Sequence, residues 1–197
     1  MLTKPNGAIY ASRMRAKTFL LLLLVTIATS VAAADTVRTE AVGLRFSVPA
    51  AWTRVPAASD VRAAQWRIPQ AASSDAQDGE LVLFFFGKGK GGSAQENLDR
   101  WYAQVMEPDG RPARDAGVVT IRTMNGLRVT SLDLPGTYRA MSAGGGGGEP
   151  RPGFRLLAAI VEGDDGPWFF RAAGPDATMV AAKAGFDAIL GSVEPHR

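Results

Sequence analysis

The run LVLFFF at positions 81–86 is apolar without alternation, and nothing else in the chain restricts the fold as strongly. A strand with one face in water alternates apolar and polar residues, whereas a strand apolar throughout needs cover on both faces. The chain must therefore build a sheet with one layer above it and another below. Other segments do alternate. Leu44, Phe46 and Val48 are interleaved with Arg45 and Ser47, and Pro49 ends that half-buried strand. Ala64, Trp66 and Ile68 are interleaved with Gln65 and Arg67 as far as Pro69. Residues 70–79 are small and polar and predict a loop. Val119 and Ile121 alternate with Thr120 and Arg122. Asn125-Gly126, a strong two-residue hairpin signal, then leads into a return strand over residues 127–134. A further strand over 154–161 turns at Asp164-Asp165-Gly166 and returns over 168–172.

Two segments change period. Leu98, Trp101, Tyr102 and Val105 fall at i, i+3, i+4 and i+7, which predicts an amphipathic helix. Ser93 and Glu96 give it a capping box, and Pro108-Asp109-Gly110 is expected to end it. A closing helix is expected to have Pro175 in its first turn and Met179, Ala182, Phe186, Ile189 and Leu190 on one face. Gly191 follows as a left-handed cap. The order β, β, β, α, β, β, β, β, α with two hairpins predicts an α+β fold. It is a mainly antiparallel, twisted sheet of about six or seven strands with helices packed on its faces.

The first residues concern destination. Lys4, Arg13, Arg15 and Lys17 precede an unbroken apolar stretch, TFLLLLLVTIATSVAAA, which ends in Ala32-x-Ala34 before Asp35. That is the three-part pattern of a secretory signal, so residues 1–34 are expected to be a cleaved signal peptide. Residues 35–197 would remain as a single domain, periplasmic or extracellular, soluble after cleavage, and touching the membrane only through the signal. Met14 offers a second start, MRAKTFLLLLL. The chain has no cysteine, so its core must hold the fold without disulfides. Residues 1–34 carry 4 basic and no acidic residues, which leaves 18 basic against 19 acidic in the remainder. No basic footprint for nucleic acid survives, and none is expected to bind.

Beyond the apolar run the chain reads GKGKGG and then opens its first helix. Gly87, Gly89 and Gly92 match the dinucleotide-binding spacing G-x-G-x-x-G. That site requires a parallel βαβ unit with a distal acid, and antiparallel hairpins follow here instead. No Lys-Ser or Lys-Thr pair completes a phosphate loop. The glycines are therefore expected to make a strand-to-helix turn, with no nucleotide and no cofactor. Lys88 and Lys90 beside a helix N-terminus are the residual candidates for weak anion binding.

Other chemistry has little to stand on. The single histidine, His196, lies next to the C-terminus and is expected to be mobile, which leaves a Ser-His-Asp triad without a positioned base. With no cysteine and one histidine a zinc site is not expected, and Asp164-Asp165 alone lacks the ligands calcium needs. No catalytic residue and no metal ligand is assigned. Of the four tryptophans, Trp52 follows Pro49 in a turn and is the surface candidate for stacking on a ligand. The Gly- and Pro-rich stretch 135–153 is expected to be a flexible loop, with Tyr138 and Arg139 as its binding anchors because Tyr and Arg are enriched at interface hot spots.

Three stretches carry a family resemblance. GLRFSVPAAWTRVP is similar to the opening G-x-x-F-x-x-P-x-x-W of the PsbP/Mog-type superfamily. FRLLAAIVEGDDGPWFFRAAG resembles its late hairpin, and DATMVAAKAGFDAILGSV its closing helix. The resemblance implies an α/β/α sandwich. Its members include an extrinsic photosystem II subunit, a Ran-binding nuclear protein and many exported bacterial proteins, which implies no shared chemistry to place on residues here. The expectation is an exported, non-catalytic binding or assembly domain that contacts a protein or envelope component. The alternative is a carboxylate-dependent hydrolase acting on envelope carbohydrate.

Overall fold

A computed structural model describes residues 35–71, 77–107, 109–140 and 148–196. They belong to one compact unit, Ala33–Arg197. The expected signal peptide, Pro108 and most of the glycine run at 144–148 lie outside the described residues.

The strands in chain order are β1 (Thr36–Ala41), β2 (Leu44–Pro49), β3 (Thr53–Val55), β4 (Ala64–Ile68) and β5 (Gly79–Phe85). Helix α1 (Ala94–Tyr102) follows, then β6 (Val105–Met106), β7 (Val118–Met124), β8 (Leu127–Tyr138), β9 (Arg151–Glu162) and β10 (Trp168–Pro175). Helix α2 (Asp176–Gly191) and β11 (Glu194–Pro195) close the chain. The eight-stranded main sheet runs β3-β4-β5-β10-β9-β8-β6, and β7 also pairs with β8. A three-stranded sheet runs β1-β2-β11. Every strand pair among the described residues is antiparallel.

The 81–86 run lies mostly in β5, between β4 and β10 in the interior of the sheet. Leu81, Val82 and Leu83 are all at most 1% exposed, as cover on both faces requires. The two faces show most clearly in β9. Leu157, Ala159 and Val161 join one apolar cluster with Phe46 of β2 and Met179, Phe186 and Ile189 of α2. The alternate residues Leu156, Ala158 and Ile160 join a second cluster with Leu98, Trp101 and Tyr102 of α1. In the first cluster Phe46 meets Phe170 edge-to-face with ring centroids 5.4 Å apart. Such a contact adds to the burial of both rings.

Several boundaries differ from expectation. Helix α1 stops at Tyr102, and Val105 is buried as part of β6 because it pairs with Tyr138. Pro175 ends β10 and caps α2 from outside, so Asp176 takes the first helical position. Gly191 is the last helical residue. The cap is Ser192, whose hydroxyl donates to the Ile189 carbonyl at 2.8 Å and accepts from Ser47 N at 2.9 Å. A side chain does there what a left-handed glycine was expected to do. The expected 135–153 loop is shorter, because β8 runs on to Tyr138 and β9 starts at Arg151, with those two residues paired. A register shift between Gly136 and Tyr138, with Gly136 at φ 154°, lets the strands continue together. The turns are as expected. Asn125 (φ 50°) and Gly126 (φ 81°) both take the positive φ that a tight hairpin demands.

Candidate functional site

Alternation along β5 and β10 sets out the candidate site. Leu81, Leu83 and Phe170 point to the α2 side, while Phe84 and Phe169 point to the α1 side. Helix α1 has only nine residues and lies against β6 and β8, so Phe84 and Phe86 are left beside it rather than under it. The result is a cleft of about 220 Å³ walled by Phe84, Phe86, Phe169 and Trp101. The Phe84 and Phe86 rings are stacked, with centroids 6.3 Å apart, and Phe86 lies 5.9 Å from Phe169. Phe169 and Trp101 are buried, whereas Phe86 is 42% exposed.

Polar groups line the same cleft. The Arg171 guanidinium lies 5.3 Å over the Phe84 ring, and Arg100 also lines the cleft. Asn97 is fully engaged: its amide donates to the carbonyls of Gly91 and Ser93, and its Oδ1 accepts from Arg100. Gln104 is only half engaged. It is 2% exposed, and its Nε2 donates to the Arg100 carbonyl at 3.1 Å. Its Oε1 is buried and receives no hydrogen bond. Buried acceptors in this state are rare and raise the energy of the free protein.

Arg171 also lines a neighbouring cleft of about 320 Å³, together with Arg62, Glu80, Tyr138, Arg151 and Phe154. Glu80 is held there by Arg62 at 3.0 Å and by the Gln65 amide at 2.6 Å. Asp78, on the same cleft, accepts from Gln70 N at 2.9 Å and stands 3.7 Å from Arg67. Tyr138 stacks on Phe154 with ring planes 6° apart, and Arg151 lies over the Phe154 ring. Arg171 and Arg151 have no carboxylate partner among the described residues, so the joined clefts carry surplus positive charge.

The residues expected from sequence are not brought together. Lys88 and Lys90 are exposed on the GKGKGG turn and line a separate hollow with Glu162 and Asp164. The α1 N-terminus behind them is occupied by the protein itself. Ser93 Oγ accepts from Glu96 N at 3.2 Å, and the Glu96 carboxylate accepts from Ser93 N at 2.7 Å. The glycines serve the turn. Gly87, Gly89, Gly91 and Gly92 all have positive φ, and a Cβ on Gly91 would lie 2.7 Å from the Phe169 ring. Tyr138 is a correction: it is 5% exposed and packed in the α1-side cluster, not a free anchor on a loop. Arg139 is exposed, with its N–H donated to the Gln104 carbonyl. Trp52 is a second correction, since it is 9% exposed in the α2-side cluster. Gly185 of α2 sits so close that a Cβ there would come within 2.8 Å of the Pro49 ring and 3.3 Å of Trp52. His196 is also held rather than loose: its N–H donates to Gly43 O, and its ring lies 3.1 Å from Glu40 and against Arg45.

The residues missed from sequence are Phe86, Arg171 and Gln104. Phe86 signalled itself as the apolar residue at the open end of the run. Gln104 gave no signal, because its burial comes from α1 ending early. The carboxylates whose pKa is displaced all move down: Glu96 through Ser93, Asp99 through Arg114 and Asp109 through Arg111. A general acid at neutral pH needs the opposite displacement. Among the described residues no group of three or more His, Asp or Glu could hold a metal ion, and no helix is long and apolar enough to cross a membrane.

The described fold is α+β, two helices with antiparallel sheets. No family model matches the chain, and no curated protein matches it. Solved structures similar to it include cyanobacterial PsbP from Synechocystis sp. PCC 6803, at 15% identity and a TM-score of 0.48, covering 87% of this chain and 99% of that one. Another is PA94, a protein of unknown function from Pseudomonas aeruginosa, at 11% identity and a TM-score of 0.45, covering 83% of this chain and 99% of that one.

Proposed function

We propose that this chain is a non-catalytic binding or assembly domain that works outside the cytoplasm after losing residues 1–34. It would contact a protein or envelope component, from an α/β/α scaffold of the PsbP kind with one helix on each face of the sheet. One observation carries the reading: an aromatic cleft with Phe86 at its mouth and Arg171 on its wall, without a carboxylate partner among the described residues. An exposed aromatic ring beside a half-buried arginine is the composition of an interface hot spot.

The test is site-specific photocrosslinking in the native envelope fraction. A photoreactive phenylalanine at Phe86 is expected to give one discrete adduct. The same group at Val180, 53% exposed on α2, is expected to give none. Equal labelling from both positions, or none from Phe86, would remove this reading.

A further inference from the structure

We propose that β7 is a self-association edge: two copies of this chain pair antiparallel through Val118–Met124 and join their main sheets into one. The edge is open. Among the described strands β7 pairs only with β8, and its far side has no neighbour in the sheet. Met124 and Leu127 close a two-residue hairpin, so they form a hydrogen-bonded pair, and Arg122, Thr120 and Val118 follow in the same phase. The N–H and C=O groups of Val119, Ile121 and Thr123 therefore point away from β8, with no backbone partner among the described residues. Their side chains share the α1 side with Leu132, but α1 lies against β6 and β8 and leaves them exposed. Val119 is 40% and Ile121 56% exposed, and Val118 on the other face is 64% exposed.

The other strand edges among the described residues are blunted. β3 has 3 residues with Arg54 at its centre, β6 and β11 have 2 each, and β1 carries Arg38 and Glu40. β7 runs for 7 residues, with Val118, Val119 and Ile121 exposed and Arg122 as its single charge. A long, aliphatic edge of this kind invites another strand. Its sequence fits a copy of itself. Ile121 is the midpoint of β7 and has outward backbone groups, so a two-fold axis beside it brings the whole strand into register. Ile121 then meets Ile121 of the second copy, and Val119 meets Thr123, β-branched against β-branched on one face. On the other face Val118 meets Met124 and Thr120 meets Arg122. This register keeps the two Arg122 guanidinium groups apart, whereas an axis at Arg122 would set like charges opposite each other.

The test is sedimentation equilibrium of the purified protein from about 10 μM to about 1 mM, because one strand pair is a small interface and associates weakly. A reversible monomer–dimer equilibrium is expected. Ile121→Lys, at an exposed position, should hold the protein monomeric across that range with its circular dichroism unchanged. Thr123→Pro replaces it if it does not fold, since proline there removes an outward N–H and spares the ladder to β8. Single cysteines read the register, and the chain has no native cysteine to interfere. At Ile121 the paired Cα atoms of the two copies would stand ~5.5 Å apart, within disulfide reach. At Thr123 they would stand roughly 14 Å apart. Under mild oxidation Ile121→Cys should give a covalent dimer and Thr123→Cys little, while Val119→Cys mixed with Thr123→Cys should form the crossed product. A protein that stays monomeric at about 1 mM, a dimer that survives Ile121→Lys, or equal cross-linking of Ile121→Cys and Thr123→Cys would overturn the pairing.

Discussion

Arg155 shows how one side chain ties three elements together. From β9 it reaches Asp133 on β8 at 2.5 Å and Asp176 in the first turn of α2 at 2.9 Å. Burial works against its charge, but the two carboxylates outweigh that and hold its pKa above the ordinary value. The partners differ in setting: Asp133 is 17% exposed and Asp176 is 46% exposed. Removing the sheltered partner leaves a half-buried guanidinium undercompensated, whereas water screens the other pair. Asp133→Asn should therefore cost about 2 kcal/mol, and Asp176→Asn under about 1 kcal/mol. Urea unfolding of both variants checks this, and equal losses would show that burial does not set the difference.

Helix α1 stands on its cap. Ser93→Ala removes the acceptor for Glu96 N and should cost about 1 kcal/mol. Hydrogen bonds from Ser93 hold the Glu96 pKa below its ordinary 4.5. A carboxylate with a lowered folded pKa gives stability that is complete above the ordinary value and is lost as pH falls through the lowered one. Amide exchange in the first turn of α1 should therefore quicken on acidification below pH 4.5, and Ser93→Ala should flatten that response. The start of α1 was legible because a cap is local, written in Ser93 and Glu96. Its end was not, because Val105 has helical spacing in the sequence but is buried through pairing with Tyr138, more than thirty positions away. Turns divide in the same way. Asn125-Gly126 announces itself, whereas Val42-Gly43 makes the β1–β2 turn with a β-branched residue at φ 47°, a choice no turn preference would suggest. That conformation is held in place from afar by the Trp168 indole, which donates to the Val42 carbonyl at 2.9 Å. The short strands β3, β6 and β11, of 3, 2 and 2 residues, likewise exist only through their partners. The aromatic cleft was half legible. Its rings are in the FFF run, but Arg171 and Gln104 meet them only through sheet order and the early stop of α1.

At the scale of the whole molecule, two apolar clusters share one sheet, and no disulfide is available to reinforce either. Export is the prediction that belongs here. Intact mass of the protein recovered outside the cytoplasm should show the loss of residues 1–34, with Asp35 at the new N-terminus. A full-length species held in the membrane would contradict it. The wiring of the α2-side cluster bears on how such a journey could be made. Leu44, Phe46 and Val48 of β2 are buried against Ile189, Leu190 and Val193, and β11 pairs with β2 directly. In order of synthesis β2 therefore waits for partners that are made long after it. Until residues 176–195 follow, the leading segment has no completed core and can still be threaded through a narrow pore as an extended chain. The order of synthesis thus acts as a timer, and the arrival of α2 and β11 sets it off.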